Sequence, residues 1–295
     1  MNHSSLEIFC VVAEELGIVK AARRLGRAPS NVTTRIQHLE EELDAQLFTR
    51  ENKRLQLSPQ GRQFLVYAKK LLSLGEEARQ SLHPRPPAGV LTLGSMECTA
   101  ASRLPQPLAQ FARDCPDIRL ILTTQPTRQL TGLVASAALD CALVALPTDN
   151  HGQVICPPDL CCQPLYAETL LLVLPASMSP VRHISEIRGA RLVAFAQGCS
   201  YRDIAINMLS AGSGVEKGVQ IHEVSSYHAM LACVASGGCL CLLPESVLNL
   251  LQRPTGLRVL PAGSAVNQLI WRKALRSPAL DSLRRILGES SNLDQ

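Results

Sequence analysis

The chain has 295 residues, with 29 Lys and Arg against 25 Asp and Glu and a formal net charge of +4. That length allows two domains, each able to bury a core. The longest apolar runs, TLLLVLP and GGCLCLLP, have the length of strands and end at proline, so we expect no membrane span. The N-terminal stretch lacks a basic start, an apolar block and a small-residue cleavage site, and we therefore expect a cytoplasmic protein.

The 11 cysteines lie mostly inside apolar runs of a long chain, which favours reduced core residues over a disulfide scaffold. Cys156, Cys161 and Cys162 are the closest group that resembles a metal corner. Because adjacent cysteines do not readily bind one tetrahedral ion, we expect no metal and no other cofactor.

Three helices are predicted at the N-terminus. SSLEIFCVVAEEL has apolar residues at three- and four-residue spacing, typical of an amphipathic helix capped by Ser4 or Ser5. IVKAARRLG predicts a short second helix that ends at Gly26. Pro29 begins a third helix, where its missing N–H does no harm. The buried stripe of that helix is predicted to be Val32, Ile36, Leu39 and Leu43. Two short helices, a tight turn and a third helix indicate a helix-turn-helix.

The polar face of the third helix differs from an ordinary solvated face. Its first half gathers short or forked hydrogen-bonding side chains, of the kind that a recognition helix inserts into the major groove. These are Pro29 at the helix start, then Ser30, Asn31, Thr33, Thr34, Arg35 and His38. An isolated segment of this kind is more often a plain surface helix, but the preceding helices and the surrounding basic residues favour DNA recognition.

AQLFTRENKRLQLSPQG predicts a small β-hairpin that turns at Glu51 and Asn52. Arg50, Lys53 and Arg54 lie near that turn, so we expect this wing to contact the phosphate backbone or the minor groove.

A long helix is predicted from Pro59. Its apolar stripe, which exceeds what a lone linker needs, is expected to pair with a copy of itself. The stripe consists of Phe64, Tyr67, Leu71, Leu74 and Ala78. HPRPPAG then breaks the helix as a hinge.

The run AARRLGRAPSNVTTRIQHLEEELDAQLFTR, followed by LSPQG, resembles the N-terminal signature of LysR-type transcriptional regulators, and the similarity extends through the chain. The resemblance implies a double-stranded DNA operator, a small-molecule effector, a homodimer or homotetramer, and RNA polymerase as a further partner. Many members have glutamine at the position of Pro29 and alanine at that of Asn31, so the bases read here are expected to differ.

The runner-up class is an enzyme or a transport binding protein built on the same kind of lobes. That class predicts a catalytic constellation or a secretory leader, and the sequence offers neither, so we expect no enzymatic activity.

From Val90 onward, apolar strands alternate with helices, which predicts parallel sheets covered on both faces in two similar lobes. We therefore predict an α/β chain with three parts. A winged helix-turn-helix spans 1–58, a linker helix and hinge span 59–87, and a two-lobed, doubly wound effector domain spans 88–295. Lobe I is expected at about 88–160 and 266–295 and lobe II at about 161–265. The resemblance adds that such effector domains look like periplasmic binding proteins.

Ligands of doubly wound domains bind at the carboxyl ends of the strands, where helix N-termini offer free N–H groups. The family resemblance implies the same cleft between the lobes. On lobe I the predicted effector-binding residues are Ser95, Glu97, Thr99, Thr124, Gln125 and Pro147. On lobe II they are Cys199, Ser200, Tyr201, Arg202, Ser226, Tyr227 and His228.

The segment FAQGCSYRDI around Cys199 admits several interpretations. A catalytic thiol would need a base, and only His222 and His228 lie near it in sequence within that lobe. A redox switch would need a resolving cysteine, of which Cys233 is the nearest downstream. An anion pocket fits best, because Ser200 can cap a helix and Arg202 offers a guanidinium to a carboxylate.

Glu97 supplies the opposite charge across the expected cleft, which suits a zwitterion or a diamine. The alternative is that Glu97 pairs with Arg202 or points to solvent. SMECTAASRLP, GCSYR and SYHAMLACVASG resemble a LysR branch assigned to glutamate and putrescine metabolism. We therefore expect an amino acid or polyamine effector, with a thiol switch at Cys199 as the alternative.

Overall fold

A computed structural model describes residues 1–51, 54–82, 88–149, 152–189, 191–213, 219–252 and 254–291. The chain divides into two compact units, one centred on Met1–Pro86 and the other made of Pro87–Ala135 and Leu139–Gln295. Most of the predicted hinge, at 83–87, lies outside the described residues.

The first unit begins with the three predicted helices: α1 (His3–Glu15), α2 (Ile18–Leu25) and α3 (Pro29–Leu43). The side chain of Asn2 caps α1 by accepting from the Ser5 N–H, so the predicted cap at Ser4 or Ser5 is wrong by two residues or more. α2 ends at Gly26, whose φ of 63° lies in the left-handed region that glycine tolerates.

The core of this unit is apolar and aromatic. The Phe9 ring lies 5.4 Å from that of Phe48 and 5.2 Å from that of Phe64, in tilted contacts. The predicted stripe of α3 packs into the same core, with Val32, Ile36 and Leu39 buried and Leu43 partly buried. Because this stripe is buried, the opposite face of α3 remains exposed.

The wing consists of β1 (Phe48–Glu51) and β2 (Arg54–Leu57), paired antiparallel. Glu40 on α3 fixes its start, since its carboxylate accepts from the N–H groups of Leu47 at 2.7 Å and Phe48 at 3.0 Å. Glu40, in the acidic second half of α3, thus has a structural role. It holds the wing in place.

The long helix α4 (Pro59–Leu82) starts from a tight junction with the wing. The buried Ser58 hydroxyl donates to the Gln46 carbonyl at 2.5 Å and accepts from the Gly61 N–H at 2.8 Å. A Cβ on Gly61 would overlap the Leu47 carbonyl. The S-P-x-G pattern at 58–61 therefore records a cap, a helix-starting proline and a close approach of two backbones.

The faces of α4 differ in exposure. Ala68 is fully buried against the core of the unit, and Leu65 and Leu72 pack on the same core. Tyr67, Leu71 and Leu74 are 54%, 40% and 59% exposed. The predicted apolar stripe is thus exposed over these three residues, whereas Phe64 belongs to the core of the unit.

The second unit is an α/β structure. Its strands are β3 (Gly89–Ser95), β4 (Ile118–Thr124), β5 (Cys141–Val144), β6 (Leu160–Leu174), β7 (Arg191–Ala194), β8 (Gln220–Glu223), β9 (Cys239–Pro244) and β10 (Arg258–Arg272). Its helices are α5 (Glu97–Ser102), α6 (Pro105–Asp114), α7 (Thr127–Ala135), α8 (Ser200–Ser213), α9 (Tyr227–Ala235), α10 (Glu245–Leu248) and α11 (Pro278–Glu289). The strand order is β4-β3-β5-β10-β6-β9-β7-β8.

Two lobes share the long antiparallel strands β6 and β10. β3, β4 and β5 run parallel in lobe I, where β5 pairs with the second half of β10. β7, β8 and β9 run parallel in lobe II, where β9 pairs with the second half of β6. The predicted parallel strands are present. The prediction of parallel sheets omitted β10 and its antiparallel pairings, which join the lobes.

The disulfide between Cys156 and Cys162 was not predicted from the sequence. The thiols of Cys10, Cys141, Cys239 and Cys241 are free and buried, as expected of core residues. Within the described ranges, no three His, Cys, Asp or Glu side chains form a metal-binding group. No helix in those ranges is both long enough and apolar enough to cross a bilayer.

Because the junction between the wing and α4 is tight, we expect two Gly→Ala substitutions in α4 to differ in their effect on the free energy of unfolding. Gly61→Ala should lower the free energy of unfolding of the first unit by about 1–3 kcal/mol, because the new methyl group overlaps the Leu47 carbonyl. Gly75→Ala meets only His3 at ordinary contact distance and should be neutral or stabilise by up to about 1 kcal/mol. Urea titration, read out by hydrogen-exchange protection of α1 and α3, checks this. Equal effects of the two substitutions would contradict it.

Candidate functional site

The exposed face of α3 carries the predicted recognition residues. All seven are exposed: Pro29, Ser30, Asn31, Thr33, Thr34, Arg35 and His38. The Thr33 hydroxyl donates to the Pro29 carbonyl at 3.0 Å, and the His38 imidazole lies 3.3 Å from the Glu41 carboxylate. Thr34 and Arg35 are exposed between these residues on α3.

The wing adds basic side chains to this unit. Arg50 is exposed on β1 and, with Lys20 and Arg62, lines an open groove of about 900 Å³. Lys53 lies outside the described residues, as does the side chain of Arg54. Arg24, in contrast, is occupied by ion pairs with Glu14 and Glu15. The cations of the groove are therefore better placed than Arg24 to meet phosphates.

The second unit contains a cavity of about 560 Å³ between its two lobes. Lobe I contributes the start of α5 and the residues from the end of β4 to the start of α7. Lobe II contributes the segment between β7 and α8 and the segment between β8 and α9. The cavity therefore lies where the carboxyl ends of parallel strands from both lobes meet, which is the predicted place.

Six of the predicted effector-binding residues line this cavity: Glu97, Thr124, Gln125, Cys199, Tyr201 and Tyr227. Pro147 and Ser200 instead line a second cavity, of about 790 Å³. The Ser95 side chain is buried and donates to the Met96 carbonyl, Ser226 caps α9, and His228 is exposed outside both cavities. The sequence interpretation missed several lining residues, of which Phe195, Glu223 and Ser225 matter most for the chemistry of the cavity.

Hydrogen bonds between the lobes converge on the segment 198–201. The Ser200 hydroxyl donates to the Ala145 carbonyl at 2.6 Å, across the lobes. The Arg128 N–H at the start of α7 donates to the Gly198 carbonyl at 3.2 Å. The predicted capping serine therefore acts chiefly as a link between the lobes.

A buried chain of hydrogen bonds runs beside these contacts. The Tyr201 hydroxyl donates to Asn267 Oδ1 at 3.1 Å, and Asn267 Nδ2 donates to Thr99 Oγ1 at 3.0 Å. Tyr201 belongs to lobe II, Thr99 to lobe I and Asn267 to the shared strand β10. Thr99, a predicted effector-binding residue, therefore lies behind the cavity wall. It accepts the last hydrogen bond of this series.

Arg202 is absent from the lining of the cavity. One of its terminal nitrogens donates to the Phe195 carbonyl at 2.9 Å and to Glu223 Oε2 at 2.8 Å, and its side chain is 15% exposed. The partner of this arginine is therefore Glu223 rather than Glu97, which the sequence interpretation had considered. Among the described residues, the Glu97 carboxylate has no ion pair or hydrogen bond.

Burial keeps the other titratable groups of the cavity neutral. It raises the pKa of Cys98 to about 12 and raises the pKa of the Cys199 thiol as well. Burial also raises the pKa values of Tyr201 and Tyr227 well above the ordinary value for tyrosine. Because the thiolate is the reactive form of cysteine, these shifts lower the reactivity of both thiols near neutral pH.

Comparison with known proteins matches each part of the chain to a known protein family. Residues 3–62 match the bacterial regulatory helix-turn-helix protein family of lysR type, and residues 84–292 match the LysR substrate binding domain. The chain is 34% identical over 249 residues to the HTH-type transcriptional regulator GltR of Bacillus subtilis, covering 84% of this chain and 81% of that protein. It is 33% identical over 250 residues to YofA of Bacillus subtilis, covering 84% and 83%.

Solved structures share the fold at low identity. A full-length OxyR variant from Pseudomonas aeruginosa gives a TM-score of 0.76 at 21% identity, covering 98% of this chain and 94% of that one. Full-length CbnR in complex with its target DNA gives 0.65 at 20% identity, covering 99% and 100%. The family matches, the relatives and the two units agree: the chain belongs to the LysR family of DNA-binding transcriptional regulators.

Proposed function

We propose that α3 and the wing bind a double-stranded operator and that a small effector, an amino acid or a polyamine, binds in the 560 Å³ cavity between the lobes. The exposed recognition face of α3 is the observation that carries the first part, because its polar side chains stand free of the core. The second part is supported by a cavity whose walls come from both lobes, since a ligand there contacts both at once. We place the protein in the cytoplasm with its operator.

The exposed stripe of α4 supports a homodimer. Tyr67, Leu71 and Leu74 follow one another at four- and three-residue spacing, the repeat of a coiled-coil seam. A second copy of α4 would bury these side chains. We propose this pairing for the dimer. We further propose assembly into a tetramer and contact with RNA polymerase, for which the family resemblance is the support.

A thiol switch at Cys199 is the less favoured alternative. Burial raises the pKa of this thiol, which disfavours the thiolate that peroxide oxidises. Cys233 lies on α9 and packs against the core of the unit rather than lining the cavity with Cys199. Cys98 does line it, but burial raises the pKa of that thiol to about 12.

A matched pair of substitutions tests the two kinds of DNA contact. Thr34→Ala should lose sequence preference, with a cost of about 1–3 kcal/mol at the base pair it reads and an unchanged salt slope. Arg50→Ala should weaken binding to all sequences alike and reduce the slope of log K against log salt by about 0.9. Titration of operator and scrambled DNA at several salt concentrations measures both.

Arg113→Ala, an exposed charge removal on α6, serves as the control and should leave both quantities unchanged. Wild-type discrimination between operator and scrambled DNA in Thr34→Ala would contradict the assignment of α3 as the recognition helix.

Leu74→Glu should shift the full chain toward a monomer, because it places a charge in the proposed seam, where Leu74 is 59% exposed in the single chain. Sedimentation velocity at several concentrations measures the shift. Gln63→Glu, exposed near the start of the helix and adding the same charge, is the control. A Leu74→Glu protein that sediments like the wild type would contradict pairing through α4.

A further inference from the structure

The charge of the cavity between the lobes is one-sided. Within the described ranges, the charged side chains that line it are Glu97, at the start of α5 in lobe I, and Glu223, at the end of β8 in lobe II. A carboxylate ligand would meet the Glu97 carboxylate on one wall and, on the other, a Glu223 carboxylate whose charge Arg202 partly offsets, whereas a cation would be attracted by Glu97 and more weakly by Glu223.

Neither of the two arginines near the cavity lines it. Arg202 donates to the Phe195 carbonyl and to Glu223, so an effector carboxylate could reach it only by displacing both acceptors. Leaving the Phe195 carbonyl or the Glu223 carboxylate without its partner carries a desolvation cost. Arg128 lines the second cavity and not this one.

Two hydroxyl donors of the cavity lining are also committed. Tyr201 donates to Asn267, and Thr127 donates to the sulfur of Met96 at 3.2 Å. An effector carboxylate would compete with these protein acceptors. An ammonium group brings its own donors and needs acceptors, which Glu97 offers freely.

Part of the remaining wall is aromatic. Phe195 and Tyr227 contact each other edge to face, with ring centroids 4.8 Å apart, and Tyr201 lies beside them in the lining. Aromatic faces attract cations through the ring quadrupole, and they cover the carbon body of a ligand from water. Cys98 and Cys199 add neutral, polarisable surface.

We infer that this cavity selects an organic cation without a carboxylate, namely a primary amine or diamine, over an amino acid. The ammonium faces Glu97, and the carbon body packs on Phe195 and Tyr227. A second ammonium would reach Glu223, whose charge Arg202 partly offsets, so a diamine gains less from its second charge than from its first. The inference rests on the proposed function, since it names the effector class of the same site.

A carbon-matched set of probes tests the charge class on the full chain. Pentylamine, pentane-1,5-diamine, 5-aminopentanoate and pentanoate are compared at constant ionic strength by thermal shift and calorimetry. We expect the two amines to stabilise the protein and bind, 5-aminopentanoate to bind more weakly than pentylamine, and pentanoate to have no effect.

Glu97→Gln is the decisive variant, because it removes the charge and keeps the shape. It should weaken binding of pentylamine about tenfold, the loss of one charge-assisted hydrogen bond at a solvated site. Glu245→Gln, an equal charge change on the exposed start of α10, should leave the affinity unchanged. Unchanged thermal unfolding of the free variants excludes a folding defect as the cause.

The remaining outcomes distinguish a failure of the inference from a failure of the proposed function. Stabilisation by pentanoate but not by the amines would overturn the inference and leave the cavity as an effector site. Equal binding of pentylamine to wild type and Glu97→Gln would also overturn it. The absence of binding by either amine overturns it too, while operator recognition is judged separately by the α3 and wing variants.

Discussion

Asn267 is a buried polar residue of the second unit whose hydrogen-bond partners lie in both lobes. It is fully buried on β10, the strand that both lobes share, at a point where the pairing with β6 shifts register. Its amide oxygen accepts from Tyr201 of lobe II, and its amide nitrogen donates to Thr99 of lobe I. A buried amide group left unpaired costs about 1–3 kcal/mol, so both lobes must stay in place to satisfy it. The hydrogen bonds of this side chain therefore help to fix the relative position of the lobes, and with it the shape of the cavity.

The segment 198–201 connects Asn267 to the surface of the cavity. Tyr201 lines the cavity and reaches Asn267 with its hydroxyl, while Ser200 and Gly198 bond to lobe I on the side of the second cavity. A ligand that contacts the ring of Tyr201 thus touches a residue that also holds the lobes together. A ligand bound there would be linked to lobe position through direct contacts, which is what a population shift between two lobe arrangements requires.

Local sequence patterns were enough to predict the elements of the first unit. The helix start at Pro29, the buried stripe and the S-P-x-G junction each depend on neighbours within a few residues. In the second unit, the ends of the predicted strands indicated where the cavity lies. The roles of single side chains there depend on partners that are distant in sequence. Arg202 meets Glu223 because β7 and β8 run parallel, with Ala194 opposite Glu223, and nothing near Arg202 in sequence indicates that pairing. β10 contains Pro261, Gly263 and Ser264, and its register shifts there, so its sequence does not look like a strand.

The hydrogen bonds that run from Tyr201 through Asn267 to Thr99 hold the two lobes together. The Arg128 amide is a direct reporter, because it donates to the Gly198 carbonyl of the other lobe, whereas the Leu130 amide bonds within lobe I to Pro126. Amide hydrogen exchange of Tyr201→Phe, compared with wild type, tests the claim. We predict about tenfold faster exchange at Arg128, from the loss of one buried hydrogen bond, with no change at Leu130. Unchanged exchange at Arg128, or an equal rise at both amides, would contradict it.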